Sequence, residues 1–177
     1  MTILATERLR MRPLTRDDVD SWLELHSDPE VAEFLGTYTR ESATARLASI
    51  EEEWKVRGFG HFALERREDG QFIGRCGLKY WEQFDEAGIS AVLMRQYRGH
   101  GYLTEAARAY ISWGFDNLKL DTLIATVRDD NPSTQKLVTG LGFHPDRPEI
   151  LFGHAITIYV LHGTDPRPGQ PPAVDGE

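Results

Sequence analysis

The stretch from Val92 to Arg108 constrains the chain most. It reads Val-Leu-Met-Arg-Gln-Tyr-Arg-Gly-His-Gly-Tyr-Leu-Thr-Glu-Ala-Ala-Arg. An apolar, strand-like run leads into Gln96-x-x-Gly99-x-Gly101, and a helix with an apolar face begins at once. Strand, glycine turn and helix N-terminus together make an anion site. The unpaired N–H groups of the first helical turn point at the ligand, and the glycines let the backbone come close. Arg95, Arg98, His100 and Arg108 surround the turn against one acid, Glu105, in a chain of net charge −8. That local surplus of base points the same way. The pattern is not the dinucleotide fingerprint, because Gly99-x-Gly101-x-x-Thr104 lacks the third glycine and follows no early βαβ unit. Nor is it a P-loop, since Gly-Lys-Ser/Thr is missing. Taken alone, two glycines so spaced also fit a plain strand-to-helix turn.

At 177 residues, 40% of them hydrophobic and 27% charged, the chain has the size and balance of one soluble domain with a real core. Its longest apolar runs fall far short of the roughly 20 residues of a membrane span. No apolar signal region opens the chain, and Cys76 is the single cysteine, so a cytoplasmic location is expected. The acidic balance argues against nucleic acid as a partner.

Along the chain, Leu9 and Met11 alternate with Arg8, Arg10 and Arg12, the period of a half-buried strand, and Pro13 marks its end. Thr15-x-x-Asp18 predicts the cap of a helix to about His26, with Val19, Trp22 and Leu23 on one face. Asp28-Pro29-Glu30 opens a short helix closed near Gly36. Thr39 caps another over about 40–57, with Ala43, Leu47, Ile50 and Trp54 inward. Strands are expected at about 60–66, 71–80 and 87–94, the first two joined through Asp69-Gly70. A helix over about 102–117 then crosses over to a parallel strand at about 121–128. Pro132 opens a further helix. Strands at about 147–152 and 155–162 form a closing hairpin. Residues 1–162 thus read as a single domain, and 163–177 as a Pro/Gly-rich disordered tail.

This order, with three motifs in sequence, resembles the GNAT superfamily of acyl-CoA N-acyltransferases, and within it the RimJ/RimL-type branch. The motifs are Thr6-Glu7-Arg8-Leu9-Arg10-Met11-Arg12-Pro13 at the start, and Gln96-x-x-Gly99-x-Gly101-Tyr102-x-Thr104-Glu105-Ala106 in the middle. The last is Asn131-Pro132-Ser133-Thr134 followed by Leu141-Gly142-Phe143. The resemblance implies a mixed α/β fold with a mostly antiparallel sheet of about seven strands, one parallel pair at the cofactor site and four to five flanking helices. It implies an N-acetyltransferase that uses acetyl-CoA as donor. The acceptor would be a primary amine, on a small molecule or a protein N-terminus. The protein would be a monomer or a homodimer.

The resemblance also assigns roles. The backbone of the strand ending Leu93-Met94 would pair with pantetheine. A bulge in such family strands would turn the Leu93 amide toward the thioester carbonyl. Gln96 and the backbone N–H groups of Arg98, Gly99, Gly101, Tyr102 and Leu103 belong to the pyrophosphate loop, with the Thr104 hydroxyl added. Asn131 would bond pantetheine. Thr134 would stand near the sulfur as proton donor, because Val138 fills the position of the tyrosine that many members use. Gly88 falls where members of this branch often carry a glutamate base, so Asp85, Glu86 and His61 are the substitutes. That gap also fits a non-catalytic acyl-CoA-binding module. A nucleotide-phosphate enzyme of another class would require two of the motifs to be accidental. Phe34, Tyr38, Trp81 and Phe84 are placed to wall an acceptor pocket. Cys76 reads as core, and the six histidines show no metal-ligand spacing, so no metal is expected.

Overall fold

A computed structural model describes residues 1–169 of the protein. Eight strands form one sheet: β1 (Leu4–Ala5), β2 (Leu9–Pro13), β3 (His61–Arg66), β4 (Phe72–Trp81), β5 (Glu86–Leu93), β6 (Thr122–Arg128), β7 (His144–Leu151) and β8 (His154–His162). The helices are α1 (Val19–Ser27), α2 (Pro29–Leu35), α3 (Arg40–Arg57), α4 (Tyr102–Asp116) and α5 (Pro132–Gly140). The strand order is β1-β2-β3-β4-β5-β6-β8-β7, and the pairs are antiparallel except β5 with β6. This is the mixed architecture expected, with β1 added; that strand is two residues long and has no period to read.

The sequence signals act locally as their chemistry predicts. Leu9 and Met11 of β2 are fully buried while Arg10 faces solvent. Asp18 accepts the Thr15 N–H at 2.9 Å and both Arg12 Nη atoms at 2.7 and 3.0 Å, which ties the start of the first helical segment to β2. Asp28 caps α2 by accepting Glu30 N–H at 2.9 Å, and Thr39 caps α3 by accepting Ser42 N–H at 3.1 Å.

Helices cover both faces of the sheet. On one, Ala106, Ala107, Tyr110 and Ile111 of α4 pack on Phe62, Leu64, Cys76 and Leu78. On the other, Trp22 of α1 and Leu47 and Ile50 of α3 pack on Leu14 and Ala63. Phe62 and Leu64 serve the first core and Ala63 the second, as alternation along a strand requires.

The feature that positions the site lies between β5 and β6. Their parallel pairing is confined to Gly88 opposite Ile124. Past Gly88, β5 stays in register with β4 as far as Leu93 opposite Gly74, while its other edge is left without a strand partner. The sheet therefore splays at its middle. α4 is the crossover that joins the two strands, as expected.

Among the described residues no helix is long and apolar enough to cross a membrane. Beyond β8, Arg167 pairs with Asp116 at 3.2 Å and lies over the Phe115 ring at 5.4 Å, so residues 163–169 run against α4. The rest of the tail expected to be disordered, 170–177, lies outside the described residues.

Candidate active site

The glycine turn sits at the mouth of the splay. Gly99 has φ 79° and Gly101 has φ 78°, both in the left-handed region that other residues enter only at a cost. Gly101 is the N-cap of α4, and the first helical bond runs from Glu105 N–H to the Gly101 carbonyl at 3.1 Å. The N–H groups of residues 101–104 therefore have no partner within the helix and mark its positive end.

Glu105, the one acid of the motif, is turned away from this cluster. It accepts from Thr6 Oγ1 at 2.5 Å, from Arg8 N–H at 2.9 Å and from Arg8 Nε at 2.7 Å. Burial alone would raise its carboxyl, and those hydrogen bonds overcome that and hold it low. Arg8 also donates to the His100 carbonyl at 2.9 Å and lies over the Tyr102 ring at 4.6 Å. A residue of the opening motif thus props the turn about ninety positions away, as the separation of the bonded pair shows.

The expected surplus of base around the turn is partly balanced through space. Arg95 pairs with Asp28 at 3.1 Å, and Arg98 pairs with Glu30 at 2.6 Å and with Asp28 at 3.3 Å. Both acids belong to the start of α2, so no count along the chain finds them. Arg98 in addition donates from Nε and Nη2 to the Leu93 carbonyl, each at 3.2 Å. Its side chain caps the unpaired edge of β5 where that strand ends. The register of β4 with β5 runs unbroken, so the bulge implied by the resemblance is not present in that pairing. The open edge at Leu93 comes from the splay instead.

A cavity of about 550 Å³ fills the splay. It reaches Leu103, Ala107 and Tyr110 on α4, and Thr134, Leu137 and Val138 on α5. From there it passes between Ser90 of β5 and Thr126 of β6 toward Trp22, Tyr38 and the β7–β8 turn. Of the residues assigned from sequence, Leu103 and Thr134 line it. Leu93, Met94, Gln96, Arg98, Gly99, Gly101, Tyr102 and Thr104 follow one another along the path from the end of β5 to the start of α4. Asn131 caps α5, accepting Thr134 N–H at 3.1 Å with Oδ1, so its side-chain NH₂ is the donor left for a ligand. Phe34, Tyr38 and Trp81 line the cavity, whereas Phe84 packs with Trp81 beside Ile124, Ile156 and Ile158.

The acids proposed to replace the missing glutamate are elsewhere. Glu86 is bound by Arg147 of β7, and Asp85 accepts from Tyr80 in the β4–β5 turn. The described residues that line the cavity include no Asp or Glu. His61, by contrast, is 2% exposed, lines the cavity and has no hydrogen-bond partner on either ring nitrogen. Burial and the charge of Arg75 push it well below its usual value, so it is neutral at pH 7. Arg75 and Lys79 of β4 line the cavity too, and periodicity gives a sign of the first. Ile73-Gly-Arg-Cys-Gly-Leu78 puts a charge in a run that otherwise reads as buried strand. Burial, with Arg46 and Arg75 nearby, brings Lys79 down to about 8.

His144, His162 and Asp165 come together on the far side of the β7–β8 hairpin, with ligand atoms within 4.8 Å of one another. None of them lines the cavity.

Known proteins resemble the chain in sequence and in fold. A family model described as an acetyltransferase (GNAT) domain matches residues 8–144. The uncharacterized N-acetyltransferase p20 of Bacillus licheniformis is 29% identical over 150 residues, covering 82% of this chain and 84% of that protein. The crystal structure of an acetyltransferase from Agrobacterium tumefaciens superimposes with a TM-score of 0.80 at 26% identity, covering 92% of this chain and 95% of that one. RimL, a ribosomal L7/L12 alpha-N-protein acetyltransferase solved in complex with coenzyme A, has the same fold. Its TM-score is 0.77 at 14% identity, with 91% and 98% covered. The family match spans the opening strand, the splay and the glycine turn, and the chain belongs to the GNAT acetyltransferase family.

Proposed function

We propose that the protein is an N-acetyltransferase that moves an acetyl group from acetyl-CoA to a primary amine by direct transfer. The observation that carries this reading is the continuity of one cavity. It runs from the first turn of α4, past Thr134, to a chamber walled by Trp22, Tyr38 and Trp81, so a donor and an acceptor can meet inside it. The turn fits a pyrophosphate, because two left-handed glycines and the unpaired N–H groups of residues 101–104 converge there. The free edge of β5 at Leu93 offers its N–H to the donor, and Asn131 offers its amide, whereas the Leu93 carbonyl is taken by Arg98 and Met94 is bonded to Ile73 and Tyr97. The Leu93 N–H is the donor for the thioester oxygen as negative charge develops on it.

In the reaction the acceptor nitrogen attacks the thioester carbon and the C–S bond breaks. The thiolate leaves with a proton from the Thr134 hydroxyl, which regains one from the proton that the amine gives up. The amine must also shed a proton. Arg75, Lys79 and burial all disfavour an ammonium ion in this chamber, so the acceptor amine is driven toward its neutral form. His61, with free ring nitrogens, accepts a hydrogen bond from the amine, and because the same burial and cations disfavour its imidazolium the proton passes on to replace the one given by Thr134. A cytoplasmic setting, where acetyl-CoA is made and used, fits this chemistry.

The test is release of coenzyme A from acetyl-CoA with a panel of amines and N-terminal peptides, beside calorimetry of acetyl-CoA binding. Turnover with at least one acceptor is expected, and absence of binding ends the proposal. Binding without turnover across the panel would identify a non-catalytic acyl-CoA module instead. Thr134→Ala is expected to lower kcat by about a hundredfold or more. Its acetyl-CoA dissociation constant should stay within about twofold, because the capping bond to Asn131 uses the backbone of residue 134. Unchanged turnover would remove Thr134 from the mechanism.

A further inference from the structure

Arg75 lies in the middle of β4 and is 6% exposed. Nη1 donates to Ser90 Oγ at 3.2 Å, and the guanidinium lies over the Trp22 ring at 5.2 Å. Nε is buried and has no acceptor. Ion pairs join many of the arginines in this chain, yet among the described residues Arg75 has no carboxylate partner. A buried guanidinium without a counter-ion is destabilising, because desolvation is not offset by any opposite charge.

The surroundings repeat the imbalance. The described lining of the cavity holds no Asp or Glu, although the chain has 28 of them. Lys79, four residues along β4 and on the same face, makes no ion pair among the described residues, feels the field of only one acid, Glu53, and rests on the Trp81 ring at 3.8 Å. The indole N–H groups of Trp22 and Trp81 and the ring of His61 line the same space, and none has a hydrogen-bond partner. Two further cations reach the cavity, but their charges are matched: Arg46 by Glu53 and Arg128 by Asp130, each at 2.7 Å. What remains is a wall of unpaired donors around one uncompensated guanidinium, with the unbridged ammonium of Lys79 beside it. Such a wall is complementary to a ligand that brings acceptor atoms and negative charge.

We propose that Arg75, with Lys79 beside it, seats a carboxylate of the acceptor, so that the amine receiving the acetyl group belongs to an amino-acid-like small molecule. The proposal rests on the acetyl-transfer reading above and narrows it. Arg75 is paired across the sheet with Val92, the residue before Leu93. Its guanidinium reaches β5 itself, with Nη1 3.2 Å from Ser90 Oγ, so a carboxylate held there lies beside the strand whose end would carry the thioester. An amine and a carboxylate in one small molecule fit that juxtaposition. Polyamines and other cationic acceptors meet like charge.

The experiment titrates the full chain, with coenzyme A bound, against N-acetyl amino acids as free acids and as primary amides. At least one free acid is expected to bind about tenfold or more tightly than its amide, the effect of one charge-assisted hydrogen bond. Arg75→Met should reduce that ratio to below about twofold while coenzyme A binds as before, since an apolar side chain replaces an unpaired buried charge. Arg75→Lys keeps the charge and should keep part of the preference, which guards against a folding defect in the methionine variant. Equal affinity of acids and amides across the panel, or binding of neither, overturns the carboxylate seat. Failure of the wild-type chain to bind coenzyme A overturns the acetyl-transfer reading itself, so the two failures are told apart.

Discussion

Gly101→Glu is expected to weaken coenzyme A binding by about a hundredfold or more while the fold survives. The substitution is not a packing error. A Cβ at this position meets only the tip of the Arg8 side chain, at 3.5 Å from Nη2. Its cost has two other sources. The backbone at φ 78° and ψ 9° suits glycine, and a residue with a Cβ gives up about 1–2 kcal/mol to hold it. The glutamate also puts negative charge among the N–H groups that would hold the pyrophosphate, where the helix end favours an anionic ligand and not a second resident one. Gly101→Ala separates the terms, keeping the conformational cost of about five- to thirtyfold and dropping the electrostatic one. Calorimetry gives the affinities, and circular dichroism with thermal unfolding checks the fold. Wild-type affinity in Gly101→Glu would place the coenzyme elsewhere.

The contrast between Gly101 and Arg75 shows what a sequence can carry. Gly101 is legible because its partners are its chain neighbours. The strand before it, the glycine two positions earlier and the helix after it are contiguous, and their geometry follows from local rules. The same holds for Leu9 and Met11, for the caps at Asp28 and Thr39, and for the crossover formed by α4, all of which fall within a few residues of expectation. Charge is different, because its balance is struck through space. Read along the chain, Arg95 and Arg98 look unopposed, yet α2 supplies Asp28 and Glu30. Arg75 looks like one more arginine in an acidic chain, and only the sheet shows that no acid reaches it. Order along the chain exaggerates the first set and hides the second for the same reason. The glycine turn follows from pattern and the place of Thr134 from the family resemblance, whereas the cationic chamber follows only from the fold.

Gly88→Glu, which writes into the chain the glutamate that the family resemblance would put there, is expected to lower stability by about 3 kcal/mol or more and to restore no activity. Read by alignment, Gly88 is a lost base. In the sheet it is the one residue at which β5 pairs with β6. A Cβ there would lie 2.7 Å from the Ile124 carbonyl, 2.9 Å from the Ile124 side chain and 3.0 Å from Trp81 Nε1. Ile124 is fully buried, so neither strand can yield without opening the core beneath the splay. A carboxylate forced into this contact adds the desolvation of a charge to the steric cost. For a domain of this size the loss corresponds to a fall in Tm of about 6–12 °C, read by calorimetry or thermal denaturation. Gly88→Ala tests the first contact alone and should lie between wild type and Gly88→Glu. A stable Gly88→Glu protein with higher turnover would mean that the strands separate more easily than their contact implies, and that the base belongs at position 88. The expected result leaves loss of the amine proton to the cationic chamber, with no carboxylate base at position 88, because the splay of β5 and β6 that opens the cavity also leaves that position no room for a side chain.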